Sequence, residues 1–309
     1  MNRNMVCLVN NMYALLIYLL LKSEDVVNHT YFIFGPSVSK EISKNFKHIY
    51  LSKPKGFFRK LMMKLYIRYA GRYRWPFLKN SEFWGQDNLF FSSPIIGNND
   101  MTILEDGLLN YIYKPHKRRL RWLYRIIGGS LDGQAPLGYS TNVKTIYLTG
   151  LMPIPAALSE KVRLISLQNL WDKCAYKERI LQLFGLDKAL MQTLSKYSNI
   201  VLTQPLSEDG LMTENEKIEL YRDLLKDVRA DTVVIKTHPR EHTDYKRHFF
   251  GVYVLESHIP FELLTINKVF FKDVYTIFST GALAIPYEVN VHFAGTRVHP
   301  NLLRRYGDI

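Results

Sequence analysis

The chain has 309 residues, of which 47% are hydrophobic and 13% aromatic, so its composition excludes an intrinsically disordered protein and predicts one large or two medium packed domains. The formal net charge of +13 predicts an anionic partner: a phosphate-bearing substrate, an anionic membrane surface or nucleic acid. With only two cysteines, Cys7 and Cys174, a disulfide framework is excluded and a reducing compartment is favoured.

The N-terminus carries an apolar run from residue 5 to residue 21. Asn10 and Asn11 interrupt this run, and the uninterrupted part is shorter than the roughly 20 residues that a membrane-spanning helix needs. The pattern therefore predicts a strand at 5–9, a turn, and a buried helix at 13–21. A membrane anchor is the alternative interpretation.

Residues 57–74 predict a helix with a basic stripe. Its basic residues lie one turn apart, at Lys60, Lys64, Arg68 and Arg72. Another face carries Phe58, Leu61, Met62, Leu65 and Tyr69. Such a helix either lies on an anionic bilayer or is an ordinary packed helix with a solvated face. A second basic run, residues 114–125, favours a membrane or polyanion surface.

Strands and helices alternate along most of the chain. In the first part, strands are predicted at 29–35, 46–52, 88–94, 101–111 and 143–150, followed by a mostly helical segment at 156–198. The alternation resumes at residue 199, with strands at 232–237, 251–255, 273–278 and 290–294 and helices at 213–228, 259–266 and from Gly281. This pattern predicts an α/β fold of two Rossmann-like domains, 1–195 and 196–309, facing a central cleft.

Four polar clusters follow predicted strands, where α/β proteins usually place functional side chains. They are Glu105-Asp106-Gly107, Ser207-Glu208-Asp209-Gly210, Thr237-His238-Pro239-Arg240 and Ser279-Thr280-Gly281. In the last of these, a helix N-terminus and two hydroxyls predict an anion site, with plain N-capping as the alternative.

His238 stands between a buried strand and Pro239, which blocks a helix and holds the imidazole at the sheet edge. An ordinary pKa near 6.5 suits an imidazole to protonate or neutralise a departing phosphate. A satisfied core histidine is the alternative. A metal site with His242 and His248 is not predicted, because the proline spoils helical spacing and no carboxylate pattern accompanies them.

Two acidic turns that end in glycine could each supply a general base for a sugar hydroxyl. One contains Glu105 and Asp106, and the other contains Glu208 and Asp209. Acidic residues before glycine are also common in plain turns, so neither triplet is specific alone.

Taken together and in order, these clusters resemble bacterial sialyltransferases, and most closely glycosyltransferase family 52, which includes lipooligosaccharide and capsule sialyltransferases. That family has an acidic-acidic-Gly motif, a His-Pro motif and a later Ser/Thr pair. The stretches "KTHPRE" and "YTIFSTGALAI" carry the resemblance most clearly. It covers most of the chain and is loose between about residues 110 and 195.

The resemblance implies a GT-B-like fold, CMP-sialic acid as donor, inversion at the anomeric carbon, and neither a cofactor nor a metal. It implies that His238 assists departure of the phosphate and that Ser279 and Thr280 bind this phosphate. In some relatives the base belongs to the early acidic motif, which matches Glu105 and Asp106 here. The resemblance to family 52 favours Asp209 or Glu208 as the base, with Asp106 supporting the acceptor. The 1–195 domain would bind the acceptor and the 196–309 domain the nucleotide sugar, with Glu105, Gly107, Pro239, Arg240 and Gly281 as further site residues.

The leading hypothesis is therefore a cytoplasmic sialyltransferase, peripheral on the inner face of the cell membrane, that uses a glycan acceptor with a terminal sugar such as galactose. A transferase for another nucleotide sugar and a non-catalytic basic adaptor at a membrane are the alternatives. No recognised motif predicts nucleic-acid binding. The oligomeric state is left open, with a homodimer among the alternatives.

Overall fold

The computed structural model describes residues 3–113 and 136–308. Its contacts divide the chain into two compact units, Met1–Ile180 (unit 1) and Leu181–Ile309 (unit 2). In each unit, the paired strands of the described part run parallel within one sheet. The predicted α/β class, with parallel strands in both halves of the chain, is thus confirmed. The division at residue 180 falls earlier than the predicted domain boundary at residue 195.

Unit 1 is built on a seven-stranded sheet of order β3-β2-β1-β4-β5-β6-β7. Its strands are β1 Asn4–Val9, β2 Tyr31–Phe34, β3 Lys47–Tyr50, β4 Ser81–Gly85, β5 Met101–Leu104, β6 Val143–Leu148 and β7 Val162–Leu164. The helices around it include α1 Met12–Leu21, α2 Glu24–His29, α3 Lys40–Ser43, α4 Phe57–Tyr69, α5 Gly71–Arg74, α6 Ser92–Ile96, α7 Leu109–Ile112 and α8 Leu167–Lys173. Helix α9, Lys177–Phe184, crosses the division between the units.

Unit 2 is built on a five-stranded sheet of order β10-β9-β8-β11-β12. Its strands are β8 Asn199–Leu202, β9 Val233–Lys236, β10 Tyr253–Leu255, β11 Asp273–Thr276 and β12 Asn290–Phe293. Its helices include α10 Lys188–Leu194, α11 Glu214–Leu224, α12 Tyr245–His248, α13 Phe261–Ile266 and α14 Pro300–Tyr306. In both sheets the strand order reverses beside the first strand, which in α/β proteins is where ligands bind.

The N-terminal segment shows how the sequence produces this core. Val6, Leu8 and Val9 are fully buried because a central parallel strand is covered on both faces. The side chain of Asn11 then accepts the N–H of Ala14 at 2.7 Å and caps the buried helix α1. The predicted strand, turn and helix are confirmed. Within the described residues, no helix has both the length and the apolar character that crossing a bilayer requires.

Two predicted elements are wrong in type, and a third is correct except for one short strand. The strand predicted at 88–94 is a turn leading into α6. The sheet contains β4 instead, which was not predicted because it begins with the polar residues Ser81 and Glu82. The helical segment 156–198 also contains the short strand β7. The helix predicted from Gly281 is a four-residue 3₁₀ helix, Thr280–Leu283, since Pro286 disfavours helical backbone just beyond it. The basic run 114–125 lies outside the described residues.

Candidate active site

His238 is held at the end of β9 by a tight turn. Its backbone N–H donates to Glu241 Oε2 at 2.7 Å, and the N–H of Glu241 returns to the His238 carbonyl oxygen at 3.0 Å. The imidazole Nδ1 accepts the backbone N–H of Arg240 at 3.1 Å. Backbone and ring are therefore both fixed by the residues that immediately follow Pro239.

This geometry decides the chemical form of His238. Since Nδ1 accepts a hydrogen bond, the proton of the neutral ring lies on Nε2, which has no hydrogen-bond partner among the side chains and backbone groups that the structure describes, the Thr280 side chain not being one of them. Burial lowers the pKa of His238 to about 4, and the positive charges of Arg240 and Lys236 act in the same direction. At neutral pH the side chain is thus an uncharged donor at Nε2, and the expected ordinary pKa near 6.5 is wrong for this state.

Glu241 organises the turn, although the sequence did not lead us to predict it. Its side chain is only 1% exposed, and it accepts hydrogen bonds from the hydroxyls of Thr203 and Tyr245 in addition to the His238 N–H. The sequence did contain a clue to this role, since Glu241 follows His238 by three residues. That spacing lets a Glu carboxylate reach back to a backbone N–H, as in a helix capping box.

A fully buried lysine, Lys217, ties Glu241 to the acidic turn. Its Nζ lies 2.9 Å from Glu208 Oε2, 3.3 Å from Glu214 Oε2 and 3.6 Å from Glu241 Oε1. Burial alone would raise the pKa of Glu208, but the N–H of His242 at 2.7 Å and the Lys217 ammonium outweigh it and lower that pKa. Glu208 is thus an ionised group whose oxygens are already engaged, which makes it a poor general base.

Asp209 has a different environment from its neighbour Glu208. Its carboxylate forms a two-point ion pair with the Arg240 guanidinium, with Oδ2 3.0 Å from Nη2. Both side chains are partly exposed, at 31% for Asp209 and 44% for Arg240. Gly210 completes the turn with a φ of +70°, a conformation that favours glycine. Asp209 is therefore accessible to a substrate, but its charge is compensated in this state.

Ser279 follows β11, and the next strand in the sheet is β8, which leads to the acidic turn. Its N–H donates to Thr276 Oγ1 at 2.9 Å, and its hydroxyl does not cap the following 3₁₀ helix, so N-capping by Ser279 is wrong. So short a helix adds little dipole. A Cβ on Gly281 would meet Leu202 at an ordinary 3.5 Å, so packing does not demand glycine there. The side chain of Thr280 lies outside the described part.

In unit 1, Asp106 follows β5 and is surrounded by amide side chains. Its Oδ2 accepts Asn88 Nδ2 at 2.6 Å, and its Oδ1 accepts the amides of Gln86 and Asn11. Burial raises the pKa of Asp106 to about 6 against the effect of these hydrogen bonds, and the nearby Asp87 carboxylate adds to the rise. This carboxylate therefore exchanges its proton close to neutral pH.

Glu105 has an anchoring position. It is fully buried and accepts the Thr149 N–H at 2.6 Å and the Tyr111 hydroxyl at 3.0 Å. Burial raises its pKa as well. The backbone then turns at Gly107, whose φ of +89° favours glycine. Glu105 joins the ends of neighbouring strands and does not face solvent.

The predicted site residues thus form two groups, each in its own unit. In unit 2, the ends of β8, β9 and β11, which are adjacent in the sheet, carry Glu208, Asp209, His238, Pro239, Arg240 and Ser279. In unit 1, the end of β5 carries Glu105, Asp106 and Gly107. Over the described ranges, no group of three or more His, Cys, Asp or Glu residues is arranged to hold a metal ion.

A family model for glycosyltransferase family 52 matches residues 85–302, which include every predicted site residue. A curated relative from Haemophilus influenzae is 35% identical over 311 residues, covers 98% of both chains and is described as an uncharacterized protein.

Two solved structures share the fold. An α/β-galactoside α-2,3-sialyltransferase from Photobacterium phosphoreum superposes with a TM-score of 0.60 at 12% identity, covering 95% of this chain and 90% of that one. The GT-B domain of a sialyltransferase from Photobacterium damselae gives 0.58 at 13% identity, covering 94% and 89%. At these identities the likeness concerns the fold, and the expected GT-B-like class is confirmed.

Proposed function

The chain belongs to glycosyltransferase family 52, and on that premise we propose that it moves sialic acid from CMP-sialic acid to a terminal sugar of a lipooligosaccharide or capsular glycan, with galactose as the first acceptor to test. Family membership argues against the non-catalytic adaptor. The sialyltransferases that share the fold support the choice of sugar. We place the reaction on the cytoplasmic side of the membrane, as an enzyme that needs neither a cofactor nor a metal.

The observation that carries the proposal is the state of His238. Sialic acid leaves CMP through a cation-like transition state in which negative charge develops on the phosphate. A neutral imidazole with its proton on Nε2 can donate to that phosphate, and the Arg240 backbone N–H already holds the ring in place through Nδ1. A nucleoside monophosphate has a second pKa near 6, so a hydrogen bond is sufficient and full protonation is not required. The Ser279 and Thr280 hydroxyls would supply further donors.

Asp209 is the base that fits this site best. The acceptor hydroxyl must lose its proton as it attacks the anomeric carbon from the side opposite the phosphate, which inverts the configuration. Glu208 is committed to Lys217 and the His242 N–H, whereas the Arg240 partner of Asp209 is partly exposed and can move. Binding of the anionic donor would attract Arg240 and release Asp209. Asp106, whose pKa is raised to about 6, would then orient the acceptor.

A donor comparison tests this function. Purified protein is incubated with a galactose-terminated acceptor and either CMP-sialic acid or a UDP-sugar, and nucleotide release and the linkage of the product are measured. We expect CMP release and an inverted sialoside with CMP-sialic acid only. Turnover of a UDP-sugar without turnover of CMP-sialic acid would establish the alternative transferase. If neither donor reacts with a range of acceptors, the proposal fails.

A further inference from the structure

Helix α4 turns an apolar face to solvent. Phe58 is 73% exposed, Met62 55%, Tyr66 49% and Tyr69 58%. These positions recur at three- and four-residue intervals and therefore share one face of the helix. Phe57, 80% exposed, stands at its start. Large apolar patches on a protein surface usually mark a contact with a partner or a membrane.

The opposite face of α4 makes the contact with the core. Ile67 is buried within the unit 1 core, and Met63 packs against the same cluster. The sequence pattern left open an ordinary packed helix whose apolar side faces inward. In the structure, Phe58 and Met62 belong to the outward side instead. The helix is thus held by one face and leaves a second, apolar face about half or more exposed, although Tyr66 meets Trp75 edge to face.

The charge around this face has a single sign. Between Glu41 and Glu82 the sequence has eleven lysines and arginines and no acidic residue. Exposed members of this set alternate along the chain with the aromatic residues, at Lys53, Lys55, Arg59, Arg72 and Arg74. The exposed aromatic and cationic side chains therefore belong to one segment, residues 53–74.

We propose that this surface, formed by residues 53–74, docks unit 1 onto a bilayer that contains anionic phospholipids. Aromatic and aliphatic side chains insert at the level of the headgroups, while lysines and arginines bind the lipid phosphates. A second copy of the chain fits this face poorly, because a two-fold interface would place the same basic surface against itself. The proposal does not depend on which sugar the enzyme transfers.

Vesicle co-sedimentation tests the docking. The full chain is mixed with vesicles of phosphatidylcholine alone or of phosphatidylcholine with phosphatidylglycerol, at low and high salt. We expect binding to the anionic vesicles only, weakened by salt because screening shortens the range of surface charges. The double variant F57S/F58S should reduce the partition coefficient about tenfold or more. The matched control is F250S, since Phe250 in unit 2 is equally exposed, at 84%, and its binding should equal that of the wild type.

Three results would overturn the proposal. One is failure of the wild type to bind anionic vesicles, and another is unchanged binding by F57S/F58S. The third is a loss of mass in light scattering for F57S/F58S in the absence of lipid, which would assign the surface to a second copy. Turnover of a soluble donor and acceptor is measured in parallel without vesicles. This assay tests the proposed sialyl transfer alone, so a failure of membrane docking and a failure of the proposed function give different results.

Discussion

The two units place carboxylates at the same point of the same kind of sheet and give them opposite electrostatics. In unit 1, Asp106 is surrounded by neutral amides, and burial raises its pKa to about 6. In unit 2, Glu208 and Glu241 surround the buried Lys217, and the pKa of Glu208 is lowered. A carboxylate among amides can exchange a proton near neutrality. Glu208, which is paired with the buried ammonium, stays charged. Glu241, whose pKa is raised by burial, holds the loop that carries His238.

The largest loss of stability should come from removing the buried ammonium group of Lys217 in unit 2. Lys217→Met leaves the Glu208 and Glu241 carboxylates without their shared partner, and breaking a buried ion pair costs about 3–5 kcal/mol. We expect a fall of this order in the free energy of unfolding, measured in urea. Lys226, an exposed lysine just beyond α11, gives the control Lys226→Met. Equal stability of the two variants would show that the cluster does not hold the unit together.

Acidification should change the stability contributions of Asp106 and His238 in opposite directions. The folded pKa of Asp106, about 6, exceeds the unfolded value near 3.8, so this group adds stability as the pH falls from 7 to 5. His238 has a folded pKa of about 4, below the unfolded value near 6.5, so it removes stability over the same interval. Each contribution is about 1–2 kcal/mol.

The variants Asp106→Asn and His238→Gln separate these contributions. Relative to wild type, D106N should lose stability between pH 7 and pH 5, with a smaller free energy of unfolding, and H238Q should gain stability, with a larger one. Urea unfolding at both pH values gives the signs. If both variants changed in the same direction, the contrast between the units would be lost.

The smallest effect distinguishes two glycines that look alike in sequence. Gly107→Ala places a side chain at a φ of +89° and should destabilise by about 1 kcal/mol. Gly281→Ala should be nearly neutral, because the added Cβ meets only ordinary contacts at 3.5 Å or more. Thermal unfolding of the two variants side by side checks the difference. Strong destabilisation by G281A would mean that the turn after β11 is more constrained than its contacts indicate.

Local patterns predicted much of the fold. Continuous apolar runs such as Val233–Ile235 identified buried parallel strands, and the residues just after them identified the site loops. Strand β4 was missed because it begins with Ser81 and Glu82 and its neighbours in space come from distant parts of the chain. The apolar face of α4 was visible, but a helical period cannot tell which face meets the core.

The sequence identified those candidate site residues whose side chain can perform the proposed chemistry by itself. His238 and Asp209 stood out beside a proline and a glycine. Lys217 and Glu241 did not, because their significance arises only when α11 and the turn after β9 bring buried opposite charges together. For the same reason the sequence could not separate Glu208 from Asp209. Their different partners are set by tertiary packing.

The most direct measurement is the rate of CMP release from CMP-sialic acid with a galactose-terminated acceptor, for wild type, His238→Ala and His242→Ala, between pH 6 and pH 9. His242 is the matched control, because it is exposed and contributes its backbone N–H to the site. We expect H238A to lose about 10²–10⁴-fold in rate and H242A to match wild type. Wild type should show no loss of rate between pH 6.5 and 7.5, since a neutral imidazole keeps its Nε2 proton throughout. Full activity of H238A would contradict the account.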